Sequence, residues 1–209
     1  MTVPAMPPEA RPETPADLAA LVASRLCHDL ISPIGAIGNG VELISLDPRP
    51  KSGELALLSD SVASASAKLR FFRIAFGVAG RDQSISRSEV VPLLGDLYRT
   101  GRITLDWQSP VDMTRAEAKL AFLMLLCAEH ALPTGGALAV LRDGVGWTLR
   151  ASSPRLRHDA GLWSLLADPA LSGPLDPAQV QFPLAGAQLQ ALQRRAVIDV
   201  GVSTLTVSF

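Results

Sequence analysis

One histidine in this chain has the neighbours of a nucleophile. His28 is followed directly by an acid, Asp29, and after five positions by Pro33, in the run Arg25-Leu26-Cys27-His28-Asp29-Leu30-Ile31-Ser32-Pro33-Ile34-Gly35-Ala36-Ile37-Gly38-Asn39-Gly40. A neutral imidazole keeps one ring nitrogen with a free lone pair. It can use that lone pair on another molecule only if the ring is exposed and its surroundings are small. The ordinary alternative is that a lone helical histidine is a solvated surface residue with no task. Pro33 weighs against it, because a proline inside a helix costs about 3 kcal/mol through the lost N–H and the ring clash. A bend kept at that cost has a use.

The element that must position His28 is a long helix. At about 100° per residue, Leu26, Leu30, Ile34, Ile37, Val41 and Ile44 fall within an arc of about 80°. That apolar stripe needs a core. His28 lies nearly opposite it, on the side of Ser32, Gly35 and Asn39.

The pattern His-acid-(x)3-Pro resembles the phosphoacceptor box of histidine-kinase dimerisation helices. The wider run RLCHDLISPIGAIGNGVELI is similar to the ChpT-type histidine phosphotransferases of alphaproteobacteria. The likeness continues, in the same order, in KLRFFRIAFG (68–77), TLDW (104–107), ALPTGG (131–136) and SPRLR (153–157). It covers most of the chain after residue 17.

Composition sets the frame. The chain has 209 residues, 48% of them hydrophobic, and a net charge of −1. A proper core is affordable and wholesale disorder is not expected. The absence of basic excess argues against nucleic acid as the main partner. Cys27 and Cys127 have neither metal nor redox spacing, so both are expected to be reduced thiols in a cytoplasmic protein. The longest apolar run, Leu120–Ala128, is too short to span a bilayer, and the N-terminus lacks the flanks of a secretion signal. No membrane is expected.

Along the chain, residues 1–14 hold Pro4, Pro7, Pro8 and Pro12 and read as a disordered leader. Thr14-Pro15-Ala16-Asp17 is a helix start: a capping hydroxyl, proline at the first helical position and an early acid. The first helix should run to about Ser45 and end at Asp47-Pro48-Arg49-Pro50. A second begins near Ser52, with Leu55, Leu58, Val62, Ala65, Leu69, Phe72 and Phe76 forming a heptad seam. Gly77 and Gly80 close it. Phe71 and Ile74 lie off that seam and widen the apolar surface. Two helices cannot bury two apolar faces by themselves, so the pattern predicts pairing of hairpins into a four-helix bundle across a two-fold axis. The resemblance also implies a homodimer.

This makes 15–80 a helical-hairpin dimerisation and phosphotransfer domain and Val78–Ser88 a linker. Residues 88–209 then form a second domain. In it the pattern predicts helices over Glu89–Arg99, from Thr114 to about Leu132, over Ala160–Leu166, and from Pro177 or Val180 to Arg195. Strands are predicted at Arg102–Trp107, Ala137–Arg142, Trp147–Ala151, Ala196–Val200 and Thr204–Phe209. The fold class is α+β: a dimeric helical bundle followed by a two-layer α/β sandwich.

The order of elements in the second domain is similar to the ATP-binding domain of histidine kinases. Residue chemistry argues against nucleotide. That family holds magnesium through an asparagine on the helix matching Thr114–Leu132, and Asn39 is the only asparagine in this chain. Its adenine-side motif is Asp-x-Gly-x-Gly, whereas Asp143-Gly144-Val145-Gly146 has its glycines out of step and sits in an expected hairpin. The resemblance implies a degenerate ATPase-like domain that helps hold a partner, with no ATP and no cofactor of its own. Cys127-Ala128-Glu129-His130 offers two metal ligands on one helix, which do not make a site. His130 and His158 read as helix-end or surface residues, and Ser59, Ser61, Ser64 and Ser66 as small solvated positions.

The resemblance implies the chemistry: His28 accepts a phosphoryl group on Nε2 from the phosphoaspartate of one receiver domain and passes it to another. Asp29 is the candidate to hold the opposite N–H and support the cation formed. The receiver would bring its own Mg²⁺. Docking should use Ile31, Ser32, Gly35, Asn39 and Glu42, with small side chains permitting close approach. Arg25, one turn before His28, either meets phosphate charge or forms a surface salt bridge. Two other readings stay open: an active histidine kinase, and a scaffold that binds response regulators without carrying phosphate.

Overall fold

A computed structural model describes residues 15–46, 52–80, 83–170 and 174–209. The expected leader, the Thr14 cap and the Asp47–Pro50 connection lie outside these residues. Helix α1 spans Pro15–Leu46 and α2 spans Ser52–Ala75. They run antiparallel. Leu58 lies against Gly40, where an added Cβ would meet its Cδ1 at 3.1 Å, and Lys68 reaches Asp29.

The apolar stripe of α1 is not covered within one chain. Ile34 and Val41 are 56% and 51% exposed, and on α2 Leu55, Val62 and Leu69 are 47%, 46% and 54% exposed. Along this part of the hairpin each helix packs chiefly on the other, and one partner cannot cover two faces. Phe71 and Ile74 correct the sequence reading. Far from widening the exposed surface, they are 1% and 2% exposed. The last turns of α2 pack into the core of the C-terminal region, where Phe71 stacks on Phe122 with centroids 4.7 Å apart. Packing is therefore continuous across the stretch expected as a linker, and Phe71, Phe72, Ile74 and Ala75 belong to one cluster with the sheet residues.

That stretch also holds a short strand, β1 (Ser84–Ile85), paired antiparallel with β3 (Met113–Thr114). Two-residue strands carry no legible periodicity, so both went unread. Ser86 caps α3 (Arg87–Tyr98) by accepting from Glu89 N, which starts the helix two residues earlier than expected. Strand β2 is Ile103–Gln108, and α4 runs Arg115–His130. The capping box is present: Glu117 N donates to Thr114 Oγ1 at 3.2 Å, and Thr114 N donates to Glu117 Oε2 at 3.1 Å. Strands β4 (Gly136–Asp143) and β5 (Gly146–Ser152) form a hairpin, with Gly144 at φ +57° in its turn. Helices α5 (Ala160–Ser164) and α6 (Gln181–Ala191), with a 3₁₀ turn at Pro177–Gln179 between them, precede β6 (Val197–Val200) and β7 (Thr204–Ser208).

The sheet order is β2-β4-β5-β7-β6, parallel between β2 and β4 and antiparallel elsewhere. A parallel pair needs a crossover, and α4 supplies it. Burial alternates along β4, β5 and β7, so one face of the sheet meets the helices and the other meets water. Residues Leu120–Ala128 of α4 are all buried. This is the apolar run noted in the sequence, used as a core helix. By length and composition α1 also reaches the range of a membrane span, over Asp17–Leu46 with mean hydropathy 1.2.

Candidate functional site

Near its middle, α1 presents Arg25, His28 and Asp29 within one turn. Arg25 and Asp29 are i,i+4 neighbours, the spacing at which opposite charges meet on a helix. Arg25 Nε donates to Asp29 Oδ2 at 2.6 Å. The other carboxylate oxygen, Oδ1, lies 2.9 Å from His28 Nδ1. The His28 side chain is 85% exposed, those of Arg25 and Asp29 only 16% and 20%. A carboxylate in an ion pair only accepts hydrogen bonds. In a neutral imidazole Nδ1 then carries the proton, and Nε2 keeps its lone pair on an exposed ring.

The support beneath His28 comes from two further elements. Arg25 Nη1 donates to the carbonyl of Ala178, in the 3₁₀ turn of the C-terminal region, at 3.0 Å. Lys68 of α2 donates from Nζ to the backbone carbonyl of Asp29 at 3.2 Å. Below them a cavity of about 430 Å³ opens between the hairpin and the C-terminal region, its polar walls formed by Arg25, Asp29, Lys68, Tyr98, Arg102 and Glu129. Tyr98 donates its hydroxyl to Glu129 Oε1. Burial pushes the Glu129 carboxyl above the ordinary range. The Tyr98 hydrogen bond and then Arg25 pull it down, Asp29 pushes it up, and Lys68 pulls it down again. Burial, and next the Glu129 charge, push the Tyr98 phenol up.

Ile31, Ser32, Gly35, Asn39 and Glu42 are all exposed. An added Cβ at Gly35 or Gly38 would meet nothing within 4 Å, so neither glycine serves packing within the chain. They leave a smooth surface beside the imidazole. Of the two roles open to Arg25, the structure shows the salt bridge: it pairs with Asp29 and also donates to the Ala178 carbonyl.

Sequence reasoning missed Lys68 and Ala178. Ala178 contributes only a backbone carbonyl, which no side-chain pattern reveals. Lys68 had a signal: Pro33 has no N–H for the carbonyl four residues earlier, which is that of Asp29, so a donor from elsewhere was required.

The remaining candidates lie apart from this site. His130 ends α4, edge-on to Phe182 with centroids 5.6 Å apart. Burial, then the charges of Arg157 and Arg25, hold its pKa down, while Asp159 pulls the other way. His158 is exposed and stacks on Trp163 at 6.3 Å. Cys27 is exposed and Cys127 buried, both as free thiols. Among the described residues no group of three or more metal-capable side chains converges. Asp143–Gly146 closes the β4–β5 hairpin.

Residues 87–201 match the model of the histidine phosphotransferase C-terminal domain family. The protein phosphotransferase ChpT of Brucella abortus (strain 2308) is 39% identical over 130 residues, which span 61% of this chain and 62% of the Brucella protein. A solved structure described as a bacterial phosphotransferase superposes with a TM-score of 0.77 at 30% identity, over 93% of this chain and 96% of the other.

Proposed function

Because the chain belongs to the histidine phosphotransferase family, we propose that it relays a phosphoryl group between the aspartates of two receiver domains through His28. The observation that carries this reading is the ring itself: it is 85% exposed, with Nδ1 held 2.9 Å from Asp29 Oδ1 and Nε2 left free.

In the first step His28 Nε2 attacks the phosphorus of a receiver's aspartyl phosphate. The P–N bond forms, the acyl P–O bond breaks, and the carboxylate leaves with its electron pair. The ring now carries a positive charge, and the Nδ1–H bond to Asp29 strengthens as it develops. Phosphoryl transfer has a loose, nearly in-line transition state, so positioning dominates. In the second step the carboxylate of another receiver attacks the same phosphorus and the imidazole departs neutral. Magnesium belongs to the receiver, where it offsets charge on the phosphoryl oxygens.

Docking falls on the surface that includes Ile31, Ser32, Gly35, Asn39 and Glu42, all exposed and flush with the imidazole. Two chains pair through the exposed seam of α1 and α2 into a four-helix bundle, so each dimer offers two copies of His28. The apolar length of α1 is then used against protein rather than lipid, in a cytoplasmic molecule. The degenerate ATPase-like region takes no ATP in this proposal. Its Asp-Gly-x-Gly run is spent on a hairpin turn, and α4, which lacks an asparagine, is packed with buried apolar side chains.

The test is a His28→Ala variant of the full chain, incubated with a phosphorylated receiver domain. Label transfer should disappear while the mass in solution stays that of two chains. Label retained on the variant would remove His28 from the reaction.

A further inference from the structure

Pro33 and Lys68 come from different helices, yet they act on one atom. In a regular helix the carbonyl of residue 29 would accept the N–H of residue 33. Proline has none, so the Asp29 carbonyl loses its helical partner. Lys68 Nζ stands 3.2 Å from that oxygen. Lys68 forms no ion pair with any described carboxylate. The Lys68 charge also acts on Glu129 across the same cavity, while its hydrogen bond goes to this neutral carbonyl.

We propose that Pro33 and Lys68 form a two-part positioning device for the phosphoacceptor: the proline vacates the Asp29 carbonyl, and the lysine occupies it. Lys68 holds the backbone of Asp29 while Arg25, anchored on Ala178, holds carboxylate oxygen Oδ2. With backbone and one oxygen both tied, Oδ1 is left with a single direction, toward His28 Nδ1. The presence of Pro33 inside α1 is thereby given a use. It trades an intrahelical bond for a cross-helix one, and so couples the imidazole to α2. Lys68 and Arg25 are positioning residues, since neither meets the reacting atoms.

This inference rests on the relay reading, and its test separates the two. The probe is potassium phosphoramidate, which phosphorylates histidine without any receiver. His28 Nε2 displaces ammonia as the P–N bond of the donor breaks. Two quantities are followed in the full-length chain: the labelling rate, and the fraction of His28 in the Nδ1–H tautomer by nitrogen-15 NMR. Lys68→Met should lower that fraction and slow labelling about fivefold to tenfold, the scale of one net hydrogen bond. Lys68→Arg should restore most of both. Pro33→Ala returns an N–H to the Asp29 carbonyl, so the double variant Pro33→Ala/Lys68→Met should fall within about twofold of Pro33→Ala alone, a non-additive result.

If Lys68→Met slows the Pro33→Ala background as much as it slows the natural chain, the device does not exist. An unchanged tautomer fraction in Lys68→Met overturns it as well. If the natural chain takes no label yet its tautomer responds to Lys68→Met, the relay reading fails and the positioning stands. Should Lys68→Met not fold, Pro33→Ala alone decides: the Lys68 ammonium must be released and its N–H exchange must quicken. Exchange as slow as in the natural chain refutes the proposal.

Discussion

Replacing Asp29 with asparagine exchanges one carboxylate oxygen for an NH₂ group and removes one charge. Its two oxygens have different duties: Oδ2 accepts from Arg25 Nε at 2.6 Å, and Oδ1 faces His28 Nδ1 at 2.9 Å. Asparagine has one oxygen and one NH₂. Arg25 can only donate, so it claims the oxygen, and the NH₂ turns to His28. Nδ1 must then accept, which drives the ring proton to Nε2, the atom that has to attack. A hydrogen bond to a charged group contributes about 1.5–3 kcal/mol, and about 1.36 kcal/mol is tenfold in rate, which sets a range of about 10- to 150-fold. The exposure of His28 lets water compete and screens the charge, so transfer should slow by about 10- to 30-fold, far less than the roughly 10⁴-fold seen for the same substitution in a buried triad. The assay is rapid-quench transfer of label from a phosphorylated receiver, with receiver affinity measured separately. A variant within about threefold of the natural rate, or one whose loss lies wholly in affinity, would refute the role of Asp29.

Other consequences can be checked alongside. Val62→Glu puts a charge on the exposed seam of α2, where the natural side chain is 46% exposed in the single chain. Light scattering at micromolar concentration should fall from two chains to one, and a natural chain already at one would end the dimer proposal. Phe122→Ala removes a fully buried ring that stacks on Phe71 and meets Trp107 edge-on. It should cost about 3–5 kcal/mol in denaturant unfolding, and a loss under about 1 kcal/mol would contradict the shared core of α2 and α4. His130 is held below its ordinary pKa in the fold, so between that lowered value and 6.5 the unfolded chain binds more protons and stability rises with pH. Its penalty is absent above about pH 7 and grows on acidification. Adjacent Glu129, raised by burial, has the opposite slope, with stability falling as pH rises past its ordinary value. Urea unfolding of His130→Gln should therefore lose less stability than the natural chain between pH 7 and 5.5, and equal losses would exclude His130 as the source.

What the sequence determined by itself is whatever repeats locally. The 3.6-residue stripe placed α1 and put His28 opposite its apolar side. The Thr114–Glu117 spacing placed the start of α4, and Asp143–Gly146 the hairpin. These features depend on neighbours within a few residues, and the chain carries them wherever it folds. The meeting of His28 with Asp29 belongs in the same class, because the two are adjacent. Tertiary structure alone decided the rest. Phe71 and Ile74 look like surplus bundle surface on a helical wheel, yet they are core, because the end of α2 packs against α4. Arg25 reads as a surface cation or salt-bridge partner, and beside its salt bridge it also reaches a carbonyl 153 positions away. Lys68 reaches Asp29 across 39 positions of chain. Such contacts form only when elements far apart in the chain close on one another, and no local pattern of residues encodes that meeting.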